Sequence, residues 1–183
     1  MGLRECGVRA KHRAMKRIIL AALLLSSTPA LAEDWSTYEN ARYSFKVDVP
    51  ADGWVAQPDP DNGDGRTWYS KDGRSVIKVW GTTLLDGFKA DAKERVASEK
   101  DKGWTITSDL DFNIDLAKGP DAWHVFSASL DGRDIQQKGI PTCDGTTAIY
   151  ARVEFFESEF VTFIPITERV LSSLAPIDDG CGG

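Results

Sequence analysis

Thr67-Trp68-Tyr69-Ser70-Lys71-Asp72-Gly73-Arg74-Ser75-Val76-Ile77-Lys78-Val79-Trp80-Gly81 decides the architecture. Two runs rich in aromatic and β-branched residues flank Asp72-Gly73, a dipeptide that favours tight hairpin turns. The spacing predicts an antiparallel hairpin of Thr67–Ser70 against Ser75–Trp80. Ile77 and Val79 face a core, and Lys78 and Trp80 face the other way. Ahead of the hairpin stands a loop rich in acidic residues and glycine, Asp59-Pro60-Asp61-Asn62-Gly63-Asp64-Gly65-Arg66.

Outward from the hairpin, the period of two persists. Trp35–Tyr38 and Tyr43–Val49 read as strands, the second with Tyr43, Phe45, Val47 and Val49 alternating with polar residues, and Pro50 closes it. Gly53-Trp54-Val55 leads into the acidic loop. Trp104–Asp115 reads as a strand with Leu110, Phe112 and Ile114 on one face. Ala122–Leu130 places Ala122, His124, Phe126, Ala128 and Leu130 together. Asp131-Gly132 turns the chain into Arg133–Lys138, which Gly139 and Pro141 interrupt. Thr147–Phe156 is the last long strand, with Ile149, Ala151, Val153 and Phe155 inward.

Two segments carry helical spacing. Gly87–Lys102 has Phe88, Ala92, Val96 and Glu99 on a narrow stripe, Asp86 as the expected N-cap and Gly103 at the C′ position. Asp91 and Arg95 stand four apart and suit an ion pair. Phe160, Phe163, Ile164, Val170, Leu171 and Leu174 form a broad apolar face, with Ser158 as the expected cap. Pro165 is expected to kink or restart this helix. Strands, helix, strands, helix make an α+β protein: an α/β/α sandwich with a central, mainly antiparallel sheet and two main helices.

The N-terminus reads as a targeting segment. Lys16 and Arg17 precede the apolar run Ile18–Leu25, and Ala30-Leu31-Ala32 fits a small-x-small cleavage signal. Residues 1–32 are therefore expected to be a signal peptide with an upstream extension, with Met15 a possible start, and 33–183 a single domain. The run is too short for a stable membrane anchor, and no second long apolar run follows. A periplasmic or secreted protein is expected, not an integral membrane protein.

Beyond Ala32 the chain carries 16 Lys and Arg against 27 Asp and Glu, a net charge of −11. Such a surface repels phosphate backbones, so no nucleic acid partner is expected. Cys143 and Cys181 are the two cysteines of this part, and export makes a disulfide between them the expected state. Cys143 has no local activating group for a nucleophilic role.

On the residues named above, the chain resembles the PsbP-like family, that of the extrinsic subunit P of photosystem II. Tyr43-Ser44-Phe45-Lys46-Val47-Asp48-Val49-Pro50-Ala51-Asp52-Gly53-Trp54 resembles its opening strand and turn. Trp123-His124-Val125-Phe126-Ser127, running on to Gly132, resembles its central hairpin. Pro165–Leu174 resembles its closing helix. The chain also resembles secreted bacterial proteins carrying Asn-Gly-Asp-Gly-Arg ahead of an Asp-Gly hairpin. The resemblance implies a fold and, more loosely, a binding or accessory role; it implies no photosynthetic one.

Candidate functional residues lie on the surface. Asp59, Asp61 and Asp64 invite a calcium reading, since hard cations take several oxygens from a flexible loop. Counted from Asp59, however, the sixth position is Asp64 and the twelfth Ser70, where an EF-hand needs glycine and glutamate. A solvated turn accounts for the same residues. His124, the only histidine beyond Ala32, is expected in or beside the core with one hydrogen bond. A Ser127–His124 pair is disfavoured, since residues three apart on a strand point to opposite faces. Glu154 and Glu157 lack a partner placed for glycosidase chemistry. Trp80 and Trp123 sit opposite the apolar faces of their strands, so a helix covers them or they form a binding patch. No catalytic residue set is expected. The reading is a non-catalytic binding or accessory domain that recognises a protein or envelope component through Asp59, Asp61, Asp64, Arg66, Trp80 and Trp123. The alternatives are a small hydrolase using Asp61, Asp64 and His124, or a structural envelope protein.

Overall fold

Six antiparallel pairings align seven strands, β3 (Trp54–Ala56), β4 (Gly65–Ser70), β5 (Val76–Thr83), β9 (Thr147–Phe156), β8 (Arg133–Pro141), β7 (Trp123–Leu130) and β6 (Thr105–Phe112), in that order across one sheet. The computed structural model describes residues 34–115, 119 and 121–177. All belong to the unit Glu33–Gly183. The segment read as a signal peptide, and Cys181, lie outside them.

A second, three-stranded sheet joins β1 (Trp35–Asn40), β2 (Phe45–Pro50) and β10 (Ala175–Pro176), also antiparallel. Helix α1 (Phe88–Asp101) covers one face of the large sheet, and α2 (Phe160–Ser173) with the small sheet covers the other. This is the expected α+β sandwich, with helical cover on both faces of a central antiparallel sheet.

Alternation along β9 sorts the core. Ile149, Ala151, Val153 and Phe155 join Ile77, Val79, Phe45, Val47, Phe163 and Val170 beneath α2. Ala148 and Tyr150, on the other face, meet Phe88 and Ala92 of α1, while Val96 packs on Phe126, Ala128 and Ile135. The narrow stripe read from the sequence is the buried face of α1: Phe88, Ala92, Val96 and Glu99. A charged helix with so few apolar positions is held by tertiary packing rather than by its own propensity.

The structure departs from the expected boundaries in several places. Gly87, not Asp86, is the N-cap of α1, with φ 82° and no side-chain cap. A left-handed φ is cheap at glycine, and it moves the helix start one residue along. Gly103, at φ 93°, ends the helix as expected. Ser158 lies in a 3₁₀ turn, Glu157–Glu159, and Glu159 stands at the N-cap of α2 without a side-chain bond. Pro165 sits inside α2 and does not restart it. The carbonyl it leaves without its helical donor is that of Val161, in the first turn of the helix, a residue 87% exposed. Strand β8 runs through Gly139 to Pro141 rather than stopping at Lys138.

The largest correction concerns β6. Leu110 and Phe112 are 57% and 51% exposed rather than core, while Ile114 is buried beyond the strand end. A register shift between Ile106 and Ser108 precedes them, and β6 is the sheet edge. Leu110 and Phe112 face the side of α2, but that helix packs on β2, β8 and β9 and does not reach the edge.

Candidate functional site

The acidic loop is exposed but pinned. Asp59 takes a two-pronged salt bridge from Arg66, and the hydrogen bond from that guanidinium holds its carboxyl below the usual carboxylate range. Arg66 in turn lies over the Tyr38 ring, 5.1 Å from its centroid. The β1–β2 hairpin grips the loop from the other side. Asn40 Nδ2 donates to the Gly63 carbonyl at 3.0 Å. Arg42 donates to the Asn62 carbonyl and pairs with Asp64 at 3.2 Å. The Gly81 amide donates to the Asp64 carbonyl at 2.8 Å, tying the loop to β5. Gly65 permits the close crossing: a Cβ there would stand 1.9 Å from the Val79 carbonyl oxygen.

The predicted residues separate into groups. Asp59, Asp64 and Arg66 belong to the pinned loop, and Asp61 is exposed at its tip. Asp64, Arg66 and Trp80 border one hollow of about 420 Å³. Trp123 is elsewhere. It lies on the opposite face of the sheet, beside the α2 core, and stacks on Phe112 with centroids 6.0 Å apart. Trp80 and Trp123 therefore do not share a patch. Trp80 is partly covered, stacking on Tyr150 at 5.3 Å with Arg95 5.5 Å from its centroid.

The three loop aspartates do not converge: Asp59 turns to Arg66 and Asp64 to Arg42. Among the described residues no group of three His, Cys, Asp or Glu stands close enough to hold a metal ion. His124 is buried, 4% exposed, with Nε2 2.7 Å from Asp109 Oδ1. The histidine that was to work with Asp61 and Asp64 thus pairs with a different carboxylate. It sits four strands from β4, about 19 Å at ordinary strand spacing. Ser127 and His124 point to opposite faces, as expected. Glu154 is taken up by Arg133 and Arg152.

A second hollow was not foreseen. Between α1 and the sheet runs a cleft of about 410 Å³. Lys78 on β5, Arg152 on β9 and Gln137 on β8 are cross-strand neighbours and form one row of its floor. Trp80 and Tyr150 are the next cross-strand pair on this face of the sheet, and Trp80 borders the cleft. From α1, Glu99 reaches Arg152 at 2.8 Å and Lys102 at 3.1 Å. Burial pushes the Glu99 carboxyl up, but the Arg152 and Lys102 cations outweigh it and leave the group below its ordinary value. Asp91 pairs with Arg95 at 2.7 Å and accepts the Tyr150 hydroxyl. The Arg95 guanidinium lies 3.9 Å from the Tyr150 ring centroid. The helical spacing of Asp91 and Arg95 was legible; the row beneath them depends on the order of strands.

No protein family model matches the chain, and no curated protein matches it by sequence. Solved structures do match. The cyanobacterial PsbP (CyanoP) of Synechocystis sp. PCC 6803 superposes with a TM-score of 0.57 at 13% identity, over 84% of this chain and 99% of that one. The Ran-binding protein Mog1p of Saccharomyces cerevisiae gives 0.54 at 10% identity, over 82% and 99%. LpqN of Mycobacterium tuberculosis, described as involved in cell envelope biogenesis, gives 0.50 at 13%, over 78% and 90%. At such identities the likeness is one of fold. The fold is PsbP-like, as the opening strand, central hairpin and closing helix implied.

Proposed function

We propose that this chain is a non-catalytic binding domain, periplasmic or secreted, that recognises a protein or envelope component through the Asp59–Arg66 loop. One observation carries the reading: the loop is exposed to solvent yet held by Asn40, Arg42, Tyr38 and the Gly81 amide. Holding an exposed loop in one shape removes much of the ordering cost that a flexible loop incurs on binding. The hollow beside it adds Trp80 to a charged rim, a pairing common at recognition surfaces. The roles described for the fold's neighbours, binding Ran for one and cell envelope biogenesis for another, support a binding or accessory role. Export follows from the apolar run and cleavage signal before Glu33, and it carries with it a disulfide between Cys143 and Cys181. Among the described residues no helix is long and apolar enough to cross a membrane.

The test is cross-linked capture from envelope extract, with and without calcium, using the purified protein and an Asp61→Ala, Asp64→Ala, Arg66→Ala variant. A reproducible partner lost in the variant supports the loop as the contact surface. Equal capture by both proteins removes that placement. Capture that requires calcium would revive a cation role for the aspartates.

A further inference from the structure

The cleft beneath α1 combines charge, buried donors and an aromatic wall in a way the fold does not require. Most of its charges are matched. Glu99 answers Arg152 and Lys102, and Asp91 answers Arg95. Lys78 makes no ion pair among the described residues, and it projects from the floor row beside Arg152. In a chain whose exported part is strongly acidic, an unmatched cation at a concave site is notable for its sign. Among the described residues that line the cleft, the exposed Glu94 on its helical rim is the one unmatched negative charge.

The polar atoms of the floor tell the same story independently. Arg152 Nε and Gln137 Nε2 are donors buried without a partner among the described residues, and Glu99 Oε2 is an acceptor in the same condition. Gln137 is 3% exposed and Glu99 6%. A buried donor or acceptor left unpaired is costly, so natural structures rarely leave several together. Two unpaired donors and one spare cation favour an anion, and a single spare cation favours a single negative charge. Trp80 borders the same space and supplies aromatic surface at its side. The unpaired acceptor suits one N–H on the ligand. A volume of about 410 Å³ falls within the range of small-molecule pockets, about 300–1,000 Å³.

We propose that this cleft binds a small aromatic monocarboxylate. Its carboxylate meets Lys78, Arg152 and Gln137, and its ring lies along Trp80. The site is separate from the loop surface and goes beyond the protein-binding reading, although the two hollows share Lys78 and Trp80 as a wall.

The probe is indole-3-acetate, with indole-3-acetamide as its neutral counterpart, titrated into the isotope-labelled purified protein and followed by NMR. The carboxylate is expected to move the Arg152 Nε–H, the Gln137 side-chain amide and the Trp80 indole N–H together. The amide is expected to bind at least about tenfold more weakly, about 1.4 kcal/mol. Lys78→Met, an exposed strand position where folding is not at stake, is expected to weaken the acetate by a similar factor and leave the amide unchanged. Shifts confined to other tryptophans, equal binding of acid and amide, or no shift at millimolar ligand would each overturn the proposal. These outcomes do not decide capture through Asp61, Asp64 and Arg66, whose test uses other residues and another readout.

Discussion

The Tyr150 ring lies across Gly139, its cross-strand neighbour on β8. A Cβ at Gly139 would stand 2.2 Å from Tyr150 Cε1, well inside contact distance. The glycine here has no unusual backbone angle to provide. It provides room, and the tyrosine fills it, covering a stretch of strand that would otherwise be bare.

Gly139→Ala is therefore expected to destabilise by about 2–3 kcal/mol, as overpacking of a rigid core does. Chemical denaturation reads it as a lower midpoint at unchanged slope. Tyr150→Leu in the same background is expected to recover part of the loss. If the double variant is no better than additive, the ring and the glycine are not coupled as the geometry states.

Tyr150 also joins the sheet to α1, since its hydroxyl donates to Asp91 and its ring carries Arg95. Burial, opposed in part by Arg95, pushes the phenol well above its usual value. Tyr150→Phe keeps the packing and removes one bond to a charged group, a loss of about 1–2 kcal/mol near neutrality. The folded phenol holds its proton where the unfolded one does not. Its contribution is thus complete below about pH 10 and fades as the pH rises beyond that. The gap in unfolding free energy between wild type and Tyr150→Phe should narrow in alkali. A constant gap would detach the bond from the titration.

These pairings show where sequence reading ends. The buried stripe Phe88, Ala92, Val96 and Glu99 was legible because a helix repeats every three to four residues, and Ile77 and Val79 because a strand repeats every two. Glu99 on that stripe even announces a buried carboxylate. Its partner Arg152 is 53 positions away, brought there by a strand order that no local pattern encodes. The anchors of the acidic loop, Asn40 and Arg42, were hidden for the same reason. Leu110 and Phe112 fail differently. Their alternation gives the side of the sheet correctly, but periodicity cannot say where a covering helix stops. The two residues of β10 are too few to show a period at all.

Cys143→Ser and Cys181→Ser test the proposed bridge. A bridge over about 38 residues stabilises by roughly 4 kcal/mol in the chain-entropy model. Either substitution should lower the unfolding free energy by a similar amount, and a reductant should do the same to the wild type and nothing to the variants. Alkylation of the unfolded, unreduced protein should label neither cysteine. Labelling of Cys143 under those conditions would rule the bridge out.

Glu99 gives the acid side of the stability curve. Its side chain is 7% exposed and that of Arg152 14%, so solvent screens their 2.8 Å contact little. Because the folded carboxyl titrates below its ordinary value, the folded state releases the proton more readily than the unfolded one. The stabilisation is present above about pH 4.5 and is lost as the pH falls through the folded-state value. Glu99→Gln should cost about 2–3 kcal/mol at pH 7, less than a fully stranded charge, because Arg152 keeps Glu154. That cost should shrink toward pH 3, where the wild type has also lost the charge. Glu99→Gln with Arg152→Met removes both partners, and its stability should lie closer to wild type than that of the single variant. Denaturation midpoints measured across this pH range decide it. If the single variant is as stable as wild type at pH 7, the pair does not hold α1 to the sheet.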